Sequence, residues 1–328
     1  MGADRRAPTA AAVALLLAGL GGCTAATPAP APVPPPQVVR PTQAVPSPAP
    51  TPVGPVTRVW ATERATLAWP AEMTTDPEGN VWVREMGAMT VSKFAPDGRK
   101  LLTTGGLGRS NGQFDFHGEV HMFEGGIAAS LAGEVVVADG TSRIQRFDRE
   151  GRFLGRWQPP RTQRKVAVTG LDFGPSGALY MVRGTRVEVY GQTGDLLRSW
   201  GGLQDPDAIA VDAGERVYVA DERTGRITKF DKTGKVLTRW GRHGTGDGEF
   251  GGDGTFLDMA VDQHALYVVD KHHQRVQRFS PTGRFLGLWS SGGQDLGSFN
   301  PGGVAVDPEG AVYVTENDLG RLIKFRLT

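Results

Sequence analysis

The sequence has very little cysteine and no excess of charge of either sign. Cys23 is the single cysteine among 328 residues, so no disulfide can form within the chain and packing must hold the fold together. Lysine and arginine number 36 against 35 aspartate and glutamate, for a formal net charge of +1. Such a chain lacks the general attraction of basic proteins to nucleic acid or anionic lipid. We therefore expect no nucleic-acid partner.

Motifs of common enzyme classes are also absent from the sequence. There is no glycine-rich phosphate loop between a strand and a helix, no paired-cysteine metal motif and no Gly-x-Ser-x-Gly elbow. Nothing in the pattern predicts nucleophilic catalysis, and we assign no catalytic residue. A binding protein is therefore the favoured class over an enzyme.

Residues 1–22 have the pattern of an export signal. Arg5 and Arg6 precede an apolar run over 10–20, about half the length of a membrane-spanning helix. The run ends at Leu20-Gly21-Gly22-Cys23, which resembles the lipobox of bacterial lipoproteins. The resemblance implies lipidation at Cys23 and a lipid-anchored place in the cell envelope, at the outer membrane if the cell is Gram-negative, facing the periplasm or the exterior. An ordinary secretory signal is the alternative.

Residues 23–55 form a proline-rich tether. Twelve of these 33 residues are proline, and Arg40 is the only charged one. This composition cannot build a core and favours an extended, polyproline-like chain. We expect a disordered spacer that holds a folded domain away from the membrane, with the lipid as the only membrane contact. A proline-motif ligand for a partner is the other interpretation.

The folded domain, 56–328, is predicted from an internal repeat of short strands. In the clearest copy the strands 209–212, 217–221, 226–230 and 236–240 alternate with glycine-containing turns and loops. Five further copies follow at spacings of about 40 to 50 residues, which is typical of propeller blades. The last copy stops at Phe325, and 56–60 matches 236–240 in residue type. We predict an all-β, six-bladed β-propeller with four antiparallel strands per blade, whose last blade is closed by the N-terminal strand.

This pattern resembles the NHL-repeat family of six-bladed propellers. The resemblance rests on Ala-Val-Asp, Val-Tyr-Val-Ala-Asp and Arg-Ile-Thr-Lys-Phe in the fourth copy. It also rests on a connecting motif, Gly-x-x-x-Gly-x-Phe, that begins at Gly108, Gly244 and Gly293. The family includes RNA-binding modules, sensor domains, adhesive surfaces and an amidating lyase. The resemblance therefore implies the fold and no single function.

The two faces of such a propeller differ in their loops. Loops between strands two and three lie on the same side as the connections between blades, and we call this side the loop face. The turns between strands one and two, and three and four, form the opposite side, the turn face. We expect function on the variable loop face and little room for a site on the turn face. The tryptophans that end the fourth strands should pack between sheets: Trp157, Trp200, Trp240 and Trp289.

Five of the six histidines are predicted to lie on the loop face. Histidine is the commonest metal ligand, but a metal site needs three or four convergent groups. A zinc site like that of the family's lyase is one interpretation, and scattered surface histidines are the other. The stretch 247–254 offers oxygen ligands for calcium, or simply good turn residues. No cofactor is expected unless zinc or calcium binds. The five histidines are His117, His121, His243, His272 and His273.

Charged residues recur in the hairpins between strands two and three. A hairpin salt bridge repeated in each blade is one interpretation, and ligand binding by Asp221 and Asp270 is the other. The third blade carries Arg183 and Arg186 without the acid, near Arg164, which predicts a basic patch for an anionic ligand. The hairpin acids are Glu85, Asp139, Asp221, Asp270 and Glu316, followed in four blades by Arg143, Arg226, Arg275 and Arg321.

The leading functional hypothesis from the sequence is a binding or scaffold module for a protein, peptide or glycan ligand, displayed at the surface or in the periplasm. The alternative is a metal-dependent lyase or hydrolase that uses the loop-face histidines. Bound metal in the purified protein would favour the second.

Overall fold

Six four-stranded antiparallel sheets make up the folded part of the chain, as the repeat predicts. A computed structural model describes residues 56–117, 125–160, 166–252, 256–290 and 299–327. The first strand of each sheet contacts the first strand of the next, and the six close into a ring. The prediction of a six-bladed propeller is therefore confirmed. The segments 1–22 and 23–55, Cys23 included, lie outside the described residues.

Each blade runs from its innermost strand outward, and chain order follows spatial order except in blade 6. A short 3-10 helix, Glu222–Thr224, lies in the hairpin of blade 4. Blades 1 to 3 comprise β2 Pro70–Thr75, β3 Val81–Glu85, β4 Thr90–Phe94 and β5 Lys100–Gly105; β6 Gly126–Ala129, β7 Val135–Ala138, β8 Ile144–Phe147 and β9 Phe153–Trp157; and β10 Val168–Phe173, β11 Leu179–Arg183, β12 Arg186–Tyr190 and β13 Leu196–Trp200. Blades 4 to 6 comprise β14 Pro206–Val211, β15 Val217–Asp221, β16 Arg226–Phe230 and β17 Val236–Trp240; β18 Phe256–Val261, β19 Leu266–Asp270, β20 Arg275–Phe279 and β21 Phe285–Ser290; and β22 Pro301–Val306, β23 Val312–Glu316, β24 Arg321–Leu327 and β1 Val56–Ala61.

The N-terminal strand β1 completes blade 6. It pairs antiparallel with β24, from Val56 opposite Leu327 to Ala61 opposite Ile323, with one bulge. Because the ring is closed in this way, β24 does not present an unpaired edge that another chain could extend. Closure by the N-terminal strand was predicted from residue type, spacing and the missing fourth strand of the last copy, and it is confirmed.

The tryptophans at the ends of the fourth strands pack against the next blade, as predicted. The Trp200 ring lies 5.9 Å from that of Phe230, and the Trp240 ring lies 6.2 Å from that of Phe279. The indole of Trp240 also covers Gly283, whose φ of 89° suits a tight turn. A Cβ at Gly283 would lie 2.6 Å from that indole, so only glycine lets the ring pack there.

Burial falls from the centre of each blade toward its outer edge. Every residue of β15 is buried, whereas β17 alternates between half-buried and exposed residues. The second strands are covered on both faces because sheets pack on either side of them. The apolar core is thus spread over the gaps between blades, and it holds the ring together without a disulfide. Within the described residues, no helix has both the length and the apolar character that a membrane crossing requires.

Candidate functional site

The turn face carries a repeated contact set of an acid, an aromatic ring and a cation. In blade 1, Trp82 Nε1 donates to Asp76 (3.0 Å), and Lys93 Nζ lies 3.0 Å from the same carboxylate and 4.8 Å from the ring centre. Burial acts to raise the pKa of Asp76, but hydrogen bonds from Trp82, Lys93 and Asn80 outweigh it and hold the pKa below its ordinary value. The corresponding residues are Asp212, Tyr218 and Lys229 in blade 4, and Asp307, Tyr313 and Lys324 in blade 6.

The lysine of each set also reaches the next blade. Lys93 Nζ donates to the carbonyl of Arg149 (2.9 Å), and Lys229 Nζ donates to that of Pro281 (2.7 Å). Lys324 Nζ donates to the carbonyl of Pro96 (3.3 Å), which closes the ring at blade 1. Each acceptor is the second residue of the turn between strands three and four. The lysine therefore fills the gap between two blades on the turn face.

Blade 2 departs from the set at all three positions. Ser130 stands where the acid is, Val136 where the ring is, and Arg146 where the lysine is. The guanidinium of Arg146 turns to Glu134 of its own blade, with Nε 2.6 Å and Nη2 2.8 Å from the carboxylate oxygens. A cavity of about 320 Å³ opens between blades 2 and 3, and we call it the inter-blade cavity.

Blade 3 also lacks the acid, but its gap is filled. A Cβ at Gly174, the position of the acid, would lie 2.8 Å from the Tyr180 ring and 3.0 Å from the Glu215 carboxylate. These two side chains therefore fill the corresponding space between blades 3 and 4. Blade 5 keeps a complete set, with Arg278 as the cation over Tyr267.

The walls of the inter-blade cavity combine apolar and polar side chains. Leu131 is 75% exposed at its rim, and the half-buried Trp157 forms part of its floor, packed 4.7 Å from the Tyr190 ring. The Ser130 hydroxyl accepts from the Glu134 amide (3.1 Å), so it sits at the edge of the opening. Further lining residues include Val136, Phe173, Pro175, Ser176, Leu179 and Gln192.

A second cavity, of about 460 Å³, lies at the turn-face end of the ring axis, and we call it the mouth cavity. It shares Ser130 and Leu131 with the inter-blade cavity. Its other lining residues include Asp262, His264 and Glu309. The prediction that the turn face has little room for a site was therefore wrong. Tight turns bound both cavities, and the missing side chains of blade 2 leave the inter-blade cavity open beneath them.

On the loop face, the hairpin arginines of blades 2 and 5 hold the connections between blades. Arg275 Nε bonds to Asp270 (2.8 Å), and its terminal nitrogens donate to the carbonyls of Thr245, Gly246 and Glu249 at 3.2, 3.0 and 2.7 Å. Arg143 makes the same kind of contacts from Asp139 to the connection around Gly108–Gln113. For these blades the structural interpretation of the acid and arginine is confirmed, and Asp270 is engaged in it.

Blade 4 differs, and the expectation of a hairpin salt bridge was wrong there. In the described part of the chain Arg226 is exposed and forms no ion pair with Asp221. Asp221 instead accepts from the amides of Gln204 (2.6 Å) and Thr224 (3.2 Å). The connection into blade 4 is short, so the acid reaches it directly and the arginine has no long loop to hold. Blade 6 keeps a wider pair, Arg321 to Glu316 at 3.6 Å.

The predicted basic patch of blade 3 does not form around Arg183. That residue is 7% exposed, donates to the Pro160 carbonyl (2.7 Å) and lies 3.4 Å from the Glu188 carboxylate. Glu188, on the neighbouring strand β12, supplies the charge that the hairpin lacks, so the expectation of an uncompensated Arg183 was wrong. Arg186 is exposed and bonds to the Ser199 hydroxyl (2.8 Å). Arg164 lies outside the described residues.

The loop-face histidines are only partly brought together. His243 Nδ1 lies 2.9 Å from the Gly251 carbonyl, and a Cβ at Gly251 would lie 2.4 Å from His272. The His272 and His273 rings are 5.0 Å apart, and His273 also meets Asp270 at 3.1 Å. His117 is exposed, 4.0 Å from Asp115. His121 and part of the stretch 247–254 lie outside the described residues, among which no group of three or more metal-ligating side chains comes together.

Four acids on innermost strands were missed by the sequence analysis: Glu72, Asp172, Asp207 and Asp258. Asp172 accepts from the amides of Phe173 (2.8 Å) and Val211 (2.7 Å), and burial raises its pKa to about 7. Asp258 accepts from Met259 and Val304, which likewise links two blades. Burial, with repulsion from Glu222 and Glu72, holds the pKa of Asp207 well above its ordinary value. The sequence feature that could have identified these residues is an acid within an otherwise apolar first strand.

Comparisons with known proteins agree on the fold. No family model matches the chain. The chain is 31% identical over 143 residues to Protein brain tumor of Drosophila melanogaster, and 30% identical over 148 residues to B-box type zinc finger protein ncl-1 of Caenorhabditis elegans. Each match covers 38% of this chain but only 13% and 16% of the respective relative, so the chain spans a small part of their length.

Solved structures of a streptogramin B lyase and of virginiamycin B lyase have a similar fold. A streptogramin B lyase has a TM-score of 0.56 and 12% identity, and covers 82% of this chain and 98% of its own. Virginiamycin B lyase from Staphylococcus aureus has a TM-score of 0.58 and 12% identity over 84% of this chain and 100% of its own. Its catalytically inactive form with Quinupristin has a TM-score of 0.58, 13% identity and the same coverage. At this identity the likeness shows the fold alone.

Proposed function

We propose that the propeller is a non-catalytic binding module for a protein, peptide or glycan, and that its ligand docks on the turn face. The observation that carries the proposal is the inter-blade cavity, which opens where blade 2 departs from the contact set of its neighbours. Ligand sites are concave, largely apolar and provided with a few polar groups. The inter-blade and mouth cavities have that character and adjoin each other at Leu131.

The contacts that side chains of the loop face already make with the backbone support the same proposal. The carboxylates of Asp221 and Asp270 and the guanidinium of Arg275 are engaged with backbone groups that shape the connections. A ligand that competed for them would leave those buried backbone groups without partners, at a cost in stability. The turn-face cavities can be filled without breaking such contacts.

We further propose that the module is displayed in the cell envelope by a lipid on Cys23. The signal-like pattern of 1–22 and the proline-rich composition of 23–55 support this. The lipid supplies the membrane contact, and the proline-rich tether is the spacer between it and the folded domain. Metabolic labelling with a radioactive fatty acid tests it: wild type should carry label and Cys23→Ala should not, and unlabelled wild type would contradict it.

A direct test of the function is binding without turnover. The purified full chain is applied to glycan and peptide arrays. Each ligand that binds is recovered, and its mass is measured by mass spectrometry. We expect saturable binding of a defined ligand that is recovered unchanged. A ligand recovered with a broken or rearranged bond would contradict the proposal, as would the absence of binding across both arrays.

A metal-dependent lyase or hydrolase is the second candidate, because His243 and His272 both contact Gly251. Elemental analysis of the purified chain tests it. About one equivalent of zinc or calcium, lost in a His243→Ala/His272→Ala double variant, would favour this candidate. Metal-free protein whose melting temperature is unchanged by added metal would exclude it.

A further inference from the structure

We infer that the inter-blade cavity binds a neutral disaccharide built of gluco-configured rings. This inference rests on the proposed binding function and gives it a site and a ligand class. It follows from the charge balance of the cavity, from its apolar walls, from the polar groups left at its edge and from the closed backbone around it.

The charge balance of the cavity favours a neutral ligand. Glu134 and Arg146 are the two charged side chains among the described residues that line it, and they face each other in a bidentate pair. The hydrogen bond to Glu134 raises the pKa of Arg146, so the guanidinium stays charged and the pair has no net charge. A charged ligand would thus meet no uncompensated partner there. The pair still presents acceptor and donor groups side by side, an arrangement that suits neighbouring hydroxyls.

The apolar walls suit the flat face of a sugar ring. Gluco-configured pyranoses carry their hydroxyls around the rim, so that axial C–H groups cover both faces. Trp157, Pro175 and Leu131 line the cavity, and the last two are exposed. A ring between them would bury its C–H faces while its hydroxyls point to the polar edge. The volume of about 320 Å³ lies at the lower end of the range for small-molecule pockets, which fits a short saccharide.

Polar groups at the edge of the cavity are left over from the repeated contact set. In blades 1, 4 and 6 a lysine donates to the second residue of the next blade's turn. The corresponding carbonyl in blade 3 belongs to Gln192, and Arg146 turns away from it toward Glu134. The exposed Gln192 can therefore accept from a ligand hydroxyl through its carbonyl, and both donate and accept through its side-chain amide.

The backbone around the cavity disfavours an extended peptide. Peptides that add to a sheet need a strand edge with unpaired amides and carbonyls. The cavity is bordered instead by turns that close on themselves: Gly133 N donates to Ser130 O, Gly177 N to Gly174 O, and Gly194 N to Gly191 O, at 2.9 to 3.0 Å. A saccharide needs side-chain groups and an apolar wall, which the cavity has.

The test is calorimetric titration of the full chain with cellobiose and with N,N′-diacetylchitobiose (called chitobiose below), and with the anionic hyaluronan disaccharide for comparison. We expect at least one neutral disaccharide to bind and the anionic one to bind more weakly. A Ser130→Asp/Val136→Tyr variant restores the acid and ring of the other blades and fills the cavity, so binding should fall below detection. The matched control, Asp212→Asn/Tyr218→Phe, changes the acid and ring of blade 4 without opening a gap there and should bind as wild type does.

A milder variant keeps the test valid if the double variant fails to fold. Gln192→Ala changes an exposed turn residue and should weaken binding by about threefold to tenfold through the lost hydrogen bonds. Full affinity in either cavity variant would overturn the inference, as would no binding of cellobiose and chitobiose by wild type. If a peptide from the array bound instead and Ser130→Asp/Val136→Tyr abolished it, the saccharide inference would fail while the proposed binding function would stand.

Discussion

Arg275 and Arg226 occupy the same position in the repeat but make different contacts. Arg275 is 7% exposed and donates to three carbonyls of a long connection, whereas Arg226 is exposed beside a short one. The difference lies in the neighbouring loop, because five residues, 201–205, leave nothing for a guanidinium to hold. At the residue scale, an arginine at this repeat position stabilises the fold only where the neighbouring connection offers it carbonyls to bind.

Arg275→Ala is therefore expected to be far more destabilising than Arg226→Ala. Removing the arginine takes the guanidinium away from the buried carboxylate of Asp270 and from three backbone carbonyls. We expect the free energy of unfolding to fall by about 3 kcal/mol. Arg226→Ala should change that free energy by less than about 0.5 kcal/mol. Urea unfolding followed by tryptophan fluorescence measures both. Equal losses in the two variants would contradict this account of the arginine.

Asp172 gives the molecule a pH dependence at the residue scale. Burial raises its pKa to about 7 in the folded protein, above the ordinary value of 3.8 in the unfolded chain. The stability that this carboxyl contributes is therefore complete below about pH 4 and is lost as the pH rises through 7. Asp172→Asn should reduce the fall in melting temperature between pH 5 and pH 8, with the exposed Asp195→Asn as control. An unchanged slope in Asp172→Asn would show that this group does not titrate as described.

At the scale of the element, β1 holds the two ends of the ring together. Its Trp60 donates through Nε1 to the Pro96 carbonyl of blade 1 (3.1 Å) and packs 6.0 Å from the Tyr313 ring of its own blade. One side chain thus bridges blade 6 to blade 1. The neighbouring Val59 points outward and is 46% exposed.

Trp60→Ala is expected to weaken closure of the ring. The loss of a large aromatic side chain from this interface should reduce the free energy of unfolding by about 3 kcal/mol. Val59→Ala, on the opposite face of the same strand, should cost less than about 1 kcal/mol. The urea midpoint of each variant is the measurement. If Trp60→Ala unfolded at the wild-type midpoint, β1 would not be the closing element.

At the scale of the whole molecule, the ring could be predicted from the sequence but the candidate site could not. Blade number, strand order and closure follow from periodicity and residue type, since the repeat itself dictates them. The inter-blade cavity depends instead on what is missing from one copy, namely Ser130 and Val136 in place of an acid and a ring. That signal is present in the sequence, but its meaning requires knowing that the acid, ring and lysine touch in the other blades. The partner of Arg183 was missed for the same reason, because Glu188 lies on another strand.

The near-symmetry of the ring makes the open gap beside blade 2 informative. Blades 1, 4, 5 and 6 keep a full contact set, and blade 3 fills its gap with Tyr180 and Glu215. Blade 2 has neither the full set nor such a filling, and the inter-blade cavity opens beside it. Its position, between the rim of blade 3 and the mouth cavity, gives a ligand access from the turn face.

A crystal structure of the full chain grown with cellobiose or chitobiose is the most direct measurement of this account. It should place a sugar ring against Trp157 in the gap between blades 2 and 3, with hydroxyls at Gln192 and at the pair of Glu134 and Arg146. Sugar density on the loop face, or an inter-blade cavity that stays empty while the sugar binds elsewhere, would contradict it.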